Sequence, residues 1–290
     1  MGTSKQITKD GMWVDTKNTR WFHDMTEMRD FVINTPTTKT GYISTEQDKG
    51  EWAGNVTLDE AAELAVTGWP EKRESAQEIA SEITADAVQS VEHMVPSFRA
   101  NYTGGSVNMG AYLSGQPKCM RQFTQSPEAT ATRVVTLHVS VCVSANIDAD
   151  VMKRRGSVVA ALCRVMEQTG RTVEIWVEAT TQPGRRAMTT CTLLKRPDEN
   201  LDMDQLLFAI AHPGSFRRLI FGAWERMPNP DDLGEGYGTP MKAQCADAVG
   251  ATVVLDNANN NRPRECTDPV GWITDIVTQV TTQETVHDNR

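Results

Sequence analysis

The chain predicts a three-layer α/β domain with a mainly parallel sheet, occupying residues 131–290 and preceded by a helical N-terminal region. Three observations carry this. Val134, Val135, Leu137, Val139, Val141 and Val143 form a nearly continuous β-branched run, as a strand buried in a sheet requires. A long amphipathic pattern follows at once over residues 149–168, with Val151, Val158, Val159, Leu162, Val165 and Met166 inward and Gly170 as its stop. Beyond it, strand and helix patterns alternate as β-α-β-β-α-α-β-α, the order that makes a parallel sheet with helices on both faces.

The elements read as follows. Residues 1–55 form a polar arm in which Trp13, Trp21, Phe22, Phe31 and Trp52 stand out, so it is expected to be partly ordered, with these rings docked on the chain or on another subunit. Residues 56–130 hold a helical hairpin and a loop region. Thr57-Leu-Asp-Glu60 is a capping box, and Gly68 and Pro70 stop the helix it starts. A second helix runs from about Glu71 to Met94 on the stripe Ala76, Ile79, Ala80, Ile83, Ala87 and Val91, with Pro96 closing it. A turn at Gly115–Pro117 and a short strand come next.

In the α/β region, Arg133–Ser144 is the first strand and Arg171–Ala179 the second. The turn Gln182-Pro-Gly-Arg185 leads into an antiparallel third strand, Ala187–Leu194. Two helical segments between Leu201 and Met227 break at Pro213-Gly214. Ala251–Leu255 is the fourth strand, and Trp272–Val280 the last helix.

Composition narrows the function classes. With 39% hydrophobic and 23% charged residues the chain has the balance of a globular protein. No apolar run spans a bilayer, and Met1–Asp10 lacks a signal-peptide core, so a cytoplasmic protein without a membrane partner is expected. The six cysteines are scattered, several within apolar runs, which fits reduced, buried thiols better than disulfides or zinc. A net charge of −9 repels nucleic acid in bulk, although residues 133–290 are nearer to balance.

Ligands of a doubly wound sheet sit at the carboxyl ends of its strands. There the sequence places Lys153, Arg154 and Arg155 after the first strand, Arg185 and Arg186 after the second, and Arg262 and Arg264 after the fourth. Together they outline an edge able to hold an anionic partner, including single-stranded nucleic acid. Nucleotide-binding glycine motifs, H-E-x-x-H and G-x-S-x-G are all missing. Gly234–Gly238 lacks the lysine of a phosphate cradle and reads as a loop. His138 reads as a core residue, His212 as part of a helix break, and Glu174 and Glu178 as a partly solvated face. No enzyme activity and no cofactor are expected.

The strand order, with an antiparallel third strand, resembles the Rossmann-like von Willebrand factor A fold. Members of that family hold Mg²⁺ through Asp-x-Ser-x-Ser at the end of the first strand and a later aspartate. The matching stretch here is Ser140-Val-Cys142-Val-Ser144, with Asp256 in the place of the last aspartate. The resemblance therefore implies a degenerate metal site, since an aspartate has become Ser140 and a serine Cys142. Separately, Trp52–Pro70 and Leu113–Met120 resemble uncharacterised proteins of tailed bacteriophages, which implies a phage protein made in the host cytoplasm. The leading expectation is an adaptor that recognises a phage or host protein through the carboxyl edge of the sheet. A single-strand nucleic-acid accessory factor in replication or transcription, and a virion component, are the alternatives.

Overall fold

A computed structural model describes residues 18–37, 44, 50–91, 98–102, 106–107, 112, 115–123, 133–144, 146–182, 187–228, 233, 237–258 and 260–288. The chain begins with β1 (Thr19–Phe22), α1 (Met25–Asn34), α2 (Leu58–Thr67) and α3 (Arg73–Val91). A small antiparallel sheet of β2 (Phe98–Asn101), β3 (Ser106–Val107) and β4 (Met120–Phe123) follows. Then come β5 (Arg133–Ser140), α4 (Ala149–Gln168), β6 (Arg171–Gln182), β7 (Met188–Lys195) and α5 (Met203–Ala211). A π-helical turn, Ser215–Ile220, runs into α6 (Phe221–Trp224). The chain continues through β8 (Thr239–Pro240), β9 (Val253–Leu255), α7 (Arg264–Thr267) and α8 (Pro269–Asp288).

The central sheet has the order β1-β7-β6-β5-β9, with β8 alongside the end of β6. Strand β5 is parallel to both neighbours, setting Leu137 opposite Ile175 on β6 and Val253 on β9. Strand β7 returns antiparallel to β6, and β1 lies parallel to β7. The sheet is open and mostly parallel, within a mixed α/β fold. Residues 19–22, expected within a polar arm, are thus its outer strand. Trp21 meets Trp176 edge-on at 5.8 Å between ring centres, and Phe22 packs on Phe31 of α1 at 5.6 Å. Trp13 lies outside the described residues.

The helices form where the pattern places them. Thr57 Oγ1 accepts the Glu60 N–H at 3.2 Å while the Glu60 carboxylate accepts the Thr57 N–H at 2.8 Å, the reciprocal capping of α2. Gly68 ends α2 at φ +72°. A Cβ there would approach the Asp204 carbonyl carbon to 2.6 Å, so only glycine lets the backbone of α2 meet the start of α5. At the amino end of β6, Arg171 grips Glu284 through Nε (3.1 Å) and Nη2 (2.7 Å), tying α8 to the sheet.

One expectation fails. The sequence predicts a sheet covered by helices on both faces, but Val135, Leu137, Val139, Val173, Ile175 and Val177 join all the long helices in one core. The opposite face has a separate cluster of Trp176, Cys191, Leu193 and Cys245, flanked by Trp21 and Val249. Among the described residues no helical side chain belongs to it. A strap formed by residues 241–250 covers this face near β6 and β7, while Val134 and Val254 remain exposed. The cause is the alternation within the strands: Thr136, His138, Ser140, Glu174, Glu178 and Thr180 point to this side, which is too polar for a helix stripe to seal.

Candidate binding site at the carboxyl edge of the sheet

The four positions matched to a metal motif are not assembled as ligands. Ser140 is fully buried at the end of β5, and its Oγ has no partner among the described residues. Cys142 is buried, and burial pushes its thiol up to about 12. Ser144 is half-buried. The Asp256 carboxylate turns to the strap, accepting the Ala243 N–H at 3.2 Å with Lys242 Nζ at 3.8 Å. Among the described residues no group of three or more His, Cys, Asp or Glu is placed to hold a metal ion.

The gap between the ends of β5 and β9 is bridged by Arg155. Its Nη1 donates to the Ser140 carbonyl at 2.6 Å, its Nη2 to the Asp256 carbonyl, and its Nε lies 3.0 Å from Glu265. Arg155 is 3% exposed. Arg155 is thus an internal clamp, whereas the sequence placed it on an anion-binding edge. Arg154 donates to the Cys266 carbonyl at 2.8 Å, Lys153 pairs with Asp150 at 2.8 Å, and Arg264 pairs with Asp275 at 2.6 Å. Arg262 is exposed, and Arg185 and Arg186 lie outside the described residues. Of the described members of this set, Arg155 is turned inward, while Lys153, Arg262 and Arg264 stand at the surface. Consecutive positions on α4 are about 100° apart, so residues 153–155 cannot present one face.

A pocket of about 350 Å³ opens at the same edge, beside the residues that follow β5. Cys142, Val143 and Ser144 form one side, Thr181 and β8 another. Its walls are aromatic: Trp52, Phe216, Phe221, Trp224 and Tyr237. Phe221 stacks on Tyr237 with ring centres 4.3 Å apart and planes 8° apart, and Trp52 leans on Phe221 at 6.0 Å. Tyr237 is held from behind, where its hydroxyl donates to Glu225, which also accepts from the Ser44 hydroxyl and, at 3.1 Å, from its N–H. Burial pushes the Glu225 carboxyl above its ordinary value, with these donors and Arg226 opposing the shift.

Arg217 belongs to this pocket and is 5% exposed. Its Nη1 donates to the Trp52 carbonyl at 2.6 Å, and its guanidinium sits 5.0 Å from the centre of the Trp52 ring. Among the described residues its buried Nη2 has no hydrogen-bond partner and its guanidinium no ion pair. Burial alone lowers its affinity for the proton. Trp224 Nε1 is likewise buried without an acceptor among the described residues. Sequence reasoning missed this site. Its one signal was an arginine pair, Arg217-Arg218, inside the otherwise apolar run Phe216–Trp224.

Two histidines complete the picture. His138 is a core residue, as expected, but it is paired: its Nε2 lies 3.1 Å from Glu178. His212 sits at the helix break, where its Nδ1 accepts the Gly214 N–H at 2.9 Å. It lines a second cavity, of about 820 Å³, with Trp69, Asp148 and Lys153. Burial, with a smaller contribution from Lys153, lowers its pKa to about 4.

No helix of the described residues is long and apolar enough to cross a membrane. No curated protein and no solved structure matches the chain. A family described as a domain of unknown function (DUF7192) matches residues 7–284, nearly the whole length, and the chain belongs to that family.

Proposed function

We propose that this protein is a non-enzymatic binding module that recognises a protein partner at the carboxyl edge of its sheet, through the aromatic pocket beside β5. One observation carries the reading. The pocket lies where open α/β sheets take their ligands, yet among its described lining residues there is no Asp, Glu, His or Lys to move a proton. Its cysteine, Cys142, stays a thiol at neutral pH because burial raises it to about 12, so it is a poor nucleophile. What the pocket offers is rigid aromatic area and a single guanidinium, the side-chain types that dominate binding energy at protein interfaces.

The strand order β7-β6-β5-β9, with β7 antiparallel, supports reading this sheet as a degenerate von Willebrand A-like arrangement to which β1 has been added. A partner from a phage or its host follows from the resemblance of Trp52–Pro70 and Leu113–Met120 to tailed-phage proteins. The engagement of Arg154 and Arg155 by backbone carbonyls of the fold favours this reading over a nucleic-acid one.

The test is affinity capture with the full-length protein and two variants. Trp52→Ala, in the pocket wall, should lose a stoichiometric protein that the wild type and Glu82→Ala, on the exposed face of α3, both retain. Capture unchanged by Trp52→Ala, in a variant with native circular dichroism, overturns the reading.

A further inference from the structure

The unused edge of Arg217 identifies what the pocket takes. A guanidinium has a side-on fork, Nε with Nη2, that matches the two oxygens of a carboxylate. Among the described residues that fork is used twice for this purpose. Arg73 presents Nε and Nη2 to the two oxygens of Asp204, and Arg171 presents Nε and Nη2 to the two oxygens of Glu284. In Arg217 the opposite nitrogen, Nη1, is fixed on the Trp52 carbonyl, which orients the plane and leaves Nη2, one arm of the side-on fork, buried without a partner among the described residues. A buried guanidinium without a counter-charge is costly, and the cost is offset when an anion arrives.

From this geometry we infer that the pocket binds a carboxylate carried on a flat, largely apolar body, with Arg217 as its anchor. The inference rests on the pocket being a recognition site and adds the chemistry of what is recognised. Three features select this class. The unpartnered nitrogens, Arg217 Nη2 and Trp224 Nε1, are both donors, which suits an acceptor-only group. A single guanidinium balances one negative charge, so a carboxylate fits better than a phosphate dianion, which draws on several cations or a helix terminus. The pocket, lined by Phe221, Tyr237 and Trp224 and about 350 Å³ in volume, has room for one ring system on the scale of small-ligand sites. On a protein partner the same chemistry is offered by a chain end or acidic side chain beside an aromatic residue.

The experiment uses indole-3-acetate and its neutral isostere indole-3-acetamide as probes of the full-length protein. Binding is read from the melting temperature and from isothermal titration calorimetry. The acetate should raise the melting temperature in a saturable way, and the acetamide should bind at least tenfold more weakly. Arg217→Met should abolish that preference while remaining folded, because it removes an uncompensated buried charge. Arg217→Lys, which keeps the charge but loses the fork, should retain only a minor part of it. Equal binding of acetate and acetamide overturns the carboxylate inference and leaves the recognition pocket standing. Acetate binding that survives Arg217→Met places the site elsewhere and overturns the inference too. No binding of either probe, with partner capture still sensitive to Trp52→Ala, overturns the ligand class alone. If neither probe binds and capture is insensitive, both readings fall.

Discussion

His138 Nε2 lies 3.1 Å from Glu178 Oε2, and both side chains are completely shielded from solvent on the face of the sheet that no helix seals. Glu178 also accepts the N–H groups of Gln244 at 2.7 Å and Cys245 at 2.8 Å, and the hydroxyl of Thr180. The carboxylate therefore fastens the strap to the sheet. Burial pushes this carboxyl up, but His138, Thr180 and the Gln244 N–H together bring it below its ordinary value of 4.5.

A folded pKa below the unfolded one contributes stability that is present above pH 4.5 and lost as pH falls through the folded value. Glu178→Gln should lower stability at pH 7 by about 2 kcal/mol, since an amide nitrogen replaces one of the acceptors facing buried N–H groups. It should also flatten the loss of stability below pH 4.5. Urea titrations of both proteins at several pH values check this, and an acid limb as steep in the variant as in the wild type contradicts it.

His212 makes a pH prediction in a different window. Its folded pKa, about 4, lies below the ordinary 6.5, so the unfolded chain binds the proton more readily between those values. Stability should therefore decline as pH falls from 6.5 towards 4, by on the order of 3 kcal/mol at the limit. Replacing His212 with Gln should remove most of that slope, whatever it does to stability at pH 8. Melting temperatures collected across the window decide the matter.

Arg155→Met should destabilise the fold by about 3 kcal/mol. It frees the Ser140 and Asp256 carbonyls and leaves Glu265 without its partner, while the pocket residues stay in place. Hydrogen exchange should quicken in β9 ahead of β6. Uniform quickening would mean that Arg155 does not act as a clamp between these two strand ends.

These effects trace back unevenly to the sequence. The helix at 149–168 and the capping box at Thr57 could be read directly, because spacing and local hydrogen bonding determine them within a few residues. The two faces of β5 could not. A run of β-branched residues looks buried on both sides, and only pairing with β6 shows that Thr136, His138 and Ser140 share a face with Glu174 and Glu178. The arginines at 153–155 were grouped by position in the chain, but helical rotation sends them to different partners. The role of Arg217 was hidden for a related reason, although its place in an apolar run marks it as unusual. The carbonyl that orients it belongs to Trp52, 165 residues earlier, and no local pattern announces that meeting.

The outer strand carries a consequence for biosynthesis. Thr19 pairs with Thr189, 170 residues later in the chain. At roughly 5–20 residues per second, a nascent chain holds that first strand unpaired for about ten to thirty seconds before its seat exists. Closure of the sheet is then a late, long-range event, of the kind that slows folding. A chain trimmed before residue 23 would leave the far side of β7 as an open template for neighbouring chains, and should aggregate where the full-length protein does not.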